Sequence, residues 1–269
     1  MRIFLALCLI ILGALPASAR AQTAPVADNT APALVIPPGN PEPLGDYTQY
    51  YTRAQAPVML DNTQTALTYF MFAPEKPWPE DAKFPLVLAL HGAQGVAEAG
   101  RYLIGEKTRK AFPAFILVPA LPAGKRWRDS GNLKPSHSLS AAVEVLNHVL
   151  AQQPAIDTSR IYVIGCGMGG NGAFAAAQYH PDIFAAAVAI SGEWNDQETA
   201  GMKSVPLAAF HFTQDKVTAP YAAMDTVTAV KQAGGTAYFT TIEQDMPDCK
   251  SERIYNELLW KWLFAQHKG

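Results

Sequence analysis

The feature that most constrains this chain is the stretch Ile161-Tyr-Val-Ile-Gly-Cys-Gly-Met-Gly-Gly-Asn-Gly172. Ile161 to Ile164 is β-branched and aromatic, the composition of a short buried strand. A Gly-rich corner follows, and then the Ala-rich run Ala173 to Tyr179, which predicts a helix. Strand, sharp turn and helix thus succeed one another within some twenty residues.

The flanks repeat that alternation. Ala66 to Phe72 and Phe84 to Leu90 predict strands, the second an unbroken apolar run of the kind buried on both faces. Phe115 to Val118, Ala185 to Ser191, Val205 to His211 and Thr236 to Ile242 predict further strands. Ser138 to Gln152 places Leu139, Val143, Leu146, Val149 and Leu150 at helical spacing. Tyr221 to Gln232 and Ile254 to Ala265 predict the remaining helices. Apolar strands alternating with helices imply the α/β class, with a mostly parallel sheet flanked by helices on both faces. One domain is expected over residues 47–268.

Two segments precede it. Met1 to Ala21 opens with Arg2, runs apolar from Ile3 to Leu15 and ends in the small-residue sites Ala17-Ser18-Ala19 and Ala19-Arg20-Ala21. This is the pattern of a secretory signal peptide, and it implies a secreted or periplasmic protein with no membrane span after cleavage. The other reading is an uncleaved anchor, but the run is shorter than the ~20 residues a span needs. Gln22 to Asp46, rich in Pro and Ala, reads as a leader or tether, or as a strap on the domain surface. With 49% hydrophobic residues and a formal net charge of −2, the chain has a core and gives no reason to expect nucleic acid as a partner.

The corner spacing Gly165-Cys166-Gly167-Met168-Gly169 fits Gly-x-Ser-x-Gly, the nucleophile elbow of serine hydrolases. Other segments extend the match: Phe84-Pro-Leu-Val-Leu-Ala-Leu-His-Gly92, Ala155 to Tyr162, Tyr179 to Val188, and Trp260 to Gln266. In these the chain resembles the α/β-hydrolase superfamily. It is most similar there to exported esterases and predicted peptidases related to polyhydroxybutyrate depolymerase and feruloyl esterase.

The resemblance implies a Ser, Asp, His order for acyl transfer, and this chain departs from it twice. Gly167 stands at the nucleophile position and Pro247, before Asp248-Cys249, at the histidine position. The acid position is kept as Asp215. An oxyanion hole needs only backbone N–H groups, here those of Met168 and Ala93, so it can outlast the triad. The resemblance also sets the loops of Cys166 and Cys249 face to face, where an export compartment permits a disulfide.

Other residues carry two readings each. Gly167 relieves strain at a corner that favours positive φ, or makes room for a ligand group. Cys166 is a substitute nucleophile, or a packed or disulfide-bonded residue. His211, four residues before Asp215, is a base near the pocket or a satisfied strand-end histidine. His91 belongs to its own turn at the pocket. Trp127 and Trp194 are pocket walls, or rim or core aromatics. Ser130 is a relocated nucleophile with nothing placed to activate it. His137, His148, His180 and His267 suggest no metal cluster, and no cofactor is expected. The expectation is an exported protein of esterase ancestry that binds a small ester-like, acyl-like or sugar-like ligand, or a protein partner, without the triad's chemistry. The alternative is an active carboxylic-ester hydrolase working through non-standard residues.

Overall fold

The computed structural model describes residues 47–93, 95, 97–129, 134–243 and 249–268. Ser130 and Pro247, both singled out by the sequence, lie outside the described residues, as do the signal-peptide and leader segments.

Eight strands form one sheet in the order β1-β2-β4-β3-β5-β6-β7-β8. β1 (Thr52–Leu60) and β2 (Thr63–Phe72) form an antiparallel hairpin, and β2 pairs antiparallel with β4 (Phe115–Pro119). From β4 onward every neighbour is parallel: β3 (Phe84–Leu90), β5 (Ile156–Cys166), β6 (Ala186–Ile190), β7 (Leu207–Phe212) and β8 (Ala237–Ile242). Parallel neighbours need crossovers, and the helices supply them while covering both faces. The core divides accordingly. One cluster packs α3 (His137–Gln152), α4 (Met168–Tyr179) and α5 (Pro220–Gln232) on one face of the sheet. The other packs α1 (Glu98–Leu103) and α6 (Glu257–Phe264) on the opposite face. A further helix, α2 (Glu106–Ala111), buries no residue. Among the described residues no helix is long and apolar enough to cross a membrane.

The α/β architecture is therefore as the sequence implies; the short helices α1 and α2 were not expected, β5 starts earlier and α6 later than expected, and two further local differences have a clear physical reason. β1 has no counterpart among the predicted strands, because Pro57 interrupts its pattern. An edge strand tolerates a proline, and the strand is completed by a two-residue turn in which Asp61 and Asn62 both take positive φ. The second difference is in α4, which begins at Met168 rather than Ala173. Glycine is a poor helix former in isolation, but here the helix must lie almost against the sheet. A Cβ on Gly169 would sit 2.1 Å from the Leu90 carbonyl oxygen, and one on Gly170 2.4 Å from that of Ile190. Glycine spares both contacts.

Candidate active site

The carboxyl ends of β3, β5, β6 and β7 bring the singled-out residues to one end of the sheet, where open α/β sheets bind ligands. The corner between β5 and α4 organises them. Gly167 is the N-cap of α4 with φ 57° and ψ −118°, a conformation strained for any side chain. Among the described residues a Cβ there would meet no atom within 4 Å. The Gly167 N–H donates to the Ile190 carbonyl at 2.8 Å, which fastens the corner to the end of β6. The corner is a strand–turn–helix with positive φ at its tip and no side chain there.

Met168 opens the helix, so its N–H has no partner within α4. The loop after β3 runs beside this corner: a Cβ on Gly92 would lie 3.4 Å from the Cys166 carbonyl oxygen. Ala93 follows on an exposed turn. His91 is 6% exposed and both ring nitrogens are engaged. Nδ1 donates to the Gly92 carbonyl at 2.8 Å, while Nε2 accepts from the Leu121 N–H at 3.1 Å. Burial lowers its pKa from the ordinary value, against a smaller upward effect of the Gly92 bond. Such a ring shapes the turn and has no free nitrogen for proton transfer. Trp127 supports it from below, its Nε1–H donating to the His91 carbonyl at 2.8 Å. Trp127 has no exposed surface and belongs to the core. Trp194 is 5% exposed, packs edge-on to Tyr179, and carries the Arg128 guanidinium over its ring at 4.6 Å.

Cys166 is bonded to Cys249, with Cα atoms 5.9 Å apart across a separation of 83 residues. Of its two sequence readings, the nucleophile is thereby unavailable: a disulfide sulfur is no thiolate. The bond ties the end of β5 to the segment after β8.

Asp215 occupies the loop after β7 with a side chain only 3% exposed. Its Oδ1 accepts from the N–H groups of Val217 at 2.8 Å and Thr218 at 3.0 Å, so the carboxylate caps its own loop. Its Oδ2 lies 3.3 Å from His211 Nε2. The same Nε2 is 2.9 Å from the Thr218 carbonyl, which can only accept, so Nε2 carries the hydrogen. His211 is fully buried and its Nδ1 has no partner among the described residues. An acid–histidine pair is thus present, but the histidine comes from β7 and has no surface open to a substrate.

One residue that the sequence reading passed over lies between these groups. Ser191, after β6, has φ 44°, is 4% exposed and leaves Oγ without a partner among the described residues. Its N–H donates to the Phe210 carbonyl at 2.8 Å, so it sits one strand from His211. The only trace of it in the sequence is Ser-Gly after an apolar strand, which is also an ordinary turn. Among the described residues no group of three or more His, Cys, Asp or Glu side chains could hold a metal ion.

Comparison with known proteins follows the same lines. A Prolyl oligopeptidase family model matches residues 122–244, which include the elbow and Asp215. Poly(3-hydroxyalkanoate) depolymerase C of Paucimonas lemoignei is 26% identical over 117 residues, 41% of this chain and 28% of that protein. A thermostable esterase structure superposes with a TM-score of 0.73 at 24% identity, over 82% of this chain and 64% of its own. The chain thus spans less than two thirds of each of these two relatives. A ferulic acid esterase gives a TM-score of 0.58 at 14% identity, over 80% of this chain and 97% of its own. The chain has the α/β-hydrolase fold, and in sequence and structure it is similar to esterases that share it.

Proposed function

We propose that this is an exported pseudoenzyme of esterase ancestry that binds a small ester-like or acyl-like ligand, or a protein partner, at the old active site. The observation that carries the reading is Gly167: the turn keeps an elbow-like backbone, and among the described residues a side chain there would have room, but glycine offers nothing that can attack a carbonyl. Three further features support it. Asp215 is turned onto its own loop, Cys166 is in a disulfide, and His91 has both nitrogens engaged. The Met168 and Ala93 N–H groups supply what a ligand oxygen needs without any side chain.

The test is p-nitrophenyl ester turnover by the mature protein, with labelling by a broad serine-hydrolase phosphonate. The expected result is no labelling and a rate within the ~10³–10⁴ over water that a hole and binding alone give. Turnover in the usual enzyme range of ~1–10³ s⁻¹ would overturn the proposal.

The second reading, a working hydrolase, draws on the His211–Asp215 contact and the unpartnered Ser191 Oγ. It predicts turnover that His211→Ala and Ser191→Ala each abolish.

A further inference from the structure

We propose that Arg128 is an anion-binding residue of this site, and that the ligand is an acidic acyl compound, with a carbonyl seated at the start of α4 and a free carboxylate held by the Arg128 guanidinium. This names the chemistry of the ligand and rests on the reading of the old active site as a binding site.

Arg128 belongs to the loop between β4 and α3, and its neighbour fixes where that loop lies. Trp127 donates its Nε1–H to the His91 carbonyl, and a Cβ on Gly172 would sit 2.7 Å from Trp127 Cβ. The loop is thereby pinned to the turn after β3 and to the early part of α4. From there Arg128 reaches across to the loop after β6. Its guanidinium carbon lies 4.6 Å from the centroid of the Trp194 ring, and its Nη1 donates to the Glu193 carbonyl at 3.4 Å. The Glu193 N–H is in turn held by Asn171 Oδ1 at 2.8 Å. Asn171 and Gly172 follow Gly167 by little more than one helical turn, ~6–7.5 Å along the axis. The loops on both sides therefore set the cation beside the early part of α4, close to the corner that Gly167 leaves bare.

A charge withdrawn from water is costly unless it is paired. Arg128 is half-buried, yet among the described residues no carboxylate lies within ion-pair distance of it. The acids around it are placed otherwise. Asp129 and Glu193 are exposed, and Glu198 accepts from Asn195 Nδ2 at 3.0 Å.

A guanidinium carries five N–H donors in one plane. Stacking on Trp194 uses its face, and the long bond to the Glu193 carbonyl uses one donor of its edge. The rest of that edge matches the two oxygens of a carboxylate. The stack also holds the plane in place, because Trp194 is itself fixed. Its Nε1–H donates to the Glu198 carbonyl at 2.7 Å, and Tyr179 packs against its ring. Little side-chain freedom then remains to be lost on binding. The charge is felt within this cluster: burial and the Glu198 carboxylate raise the Tyr179 pKa, and Arg128 opposes them.

A neutral ester would engage the N–H groups at the start of α4 and leave the guanidinium without a counter-charge. A compound that carries both a carbonyl and a carboxylate satisfies both. Arg126, two residues earlier in the same loop, is exposed and serves as the control for charge alone.

Calorimetric titration of the mature protein with monomethyl adipate and with dimethyl adipate, which differ by one charge, tests the proposal. The expected result is at least about tenfold tighter binding of the monoester, the size of a charge-assisted bidentate contact. The difference should shrink as salt is raised. Arg128→Gln should bring the monoester down to the diester while the circular dichroism stays as in the parent. Arg126→Gln should keep the preference. Equal binding of the two compounds by the parent overturns the proposal, and that result stands even if Arg128→Gln fails to fold. So does a folded Arg128→Gln that still prefers the monoester, or an Arg126→Gln that has lost the preference. Equal binding of both esters would leave the binding-site reading intact, whereas binding of neither at millimolar concentration would remove both readings. Hydrolysis of either ester at enzyme rates would overturn the pseudoenzyme reading without touching the charge preference.

Discussion

Gly167 is the one place where a single atom group separates this chain from a catalytic elbow, and its surroundings define what a substitution would do. Among the described residues nothing lies within 4 Å of a Cβ there, so Gly167→Ser meets no clash with them. Its φ of 57° still makes any side chain there cost about 1–3 kcal/mol. The restored hydroxyl would have no base, because the members of a triad act as a unit. Gly167→Ser and Pro247→His should therefore each leave p-nitrophenyl ester turnover at the parent level. Only the double variant, with Asp215 as the third member, has all three groups. Detectable turnover from Gly167→Ser alone would show that a base is already in reach, with His211 the first residue to mutate next.

His91 gives a second prediction at this scale. Burial holds its pKa below the ordinary value of 6.5, so the unfolded chain binds a proton that the native state resists. Its contribution to stability is then full above about pH 6.5 and is lost as the pH falls below it. His180, also lowered by burial, acts in the same direction. The melting temperature should drop on acidification through that window. The drop should be smaller, though not absent, in His91→Gln. An unchanged slope in that variant would mean that His91 is free to titrate.

Elements meet at the site through β5, and the Cys166–Cys249 bond decides how firmly. It closes a loop of 83 residues between the end of β5 and the segment after β8. Such a crosslink restricts the unfolded chain and is worth about 2–5 kcal/mol. Cys166→Ser with Cys249→Ser should lower the denaturant midpoint by the corresponding amount, and reductant should do the same to the parent. A midpoint unchanged by both treatments would show that the bond adds nothing to the native fold. The close approach of α4 is fixed independently, by Gly169 against Leu90 and Gly170 against Ile190. The double variant should therefore stay folded in mild conditions.

At the scale of the whole molecule, the N-terminal segment predicts where the protein works. The charged start, apolar run and small-residue sites within Met1 to Ala21 predict cleavage after Ala19 or Ala21. N-terminal sequencing of material recovered outside the cytoplasm checks this, and mature protein that retains Met1 would refute it. Export also bears on the disulfide, since only an oxidising compartment keeps such a bond closed.

The sequence by itself determined the class of the fold, because a strand buried on both faces needs continuous apolar runs and a crossover helix needs its own period. It also shows that the two positions the resemblance assigns to nucleophile and base, Gly167 and Pro247, hold residues unable to move a proton or form a bond. Strand β1, the short helices α1 and α2 and the first turn of α4 were not legible in it. Pro57 and the glycines from Gly169 to Gly172 speak against regular structure locally, and only an edge position and a close helix–sheet contact make them fit. Whether Asp215 meets a histidine was likewise decided in three dimensions. His211 is four residues away in sequence, but strand direction and a loop closed by Val217 and Thr218 bring its Nε2 to the carboxylate. The burial of Ser191 and the engagement of both His91 nitrogens belong to the same class. Residue types declare which groups are available, and the packing of neighbouring strands and loops decides which of them face one another.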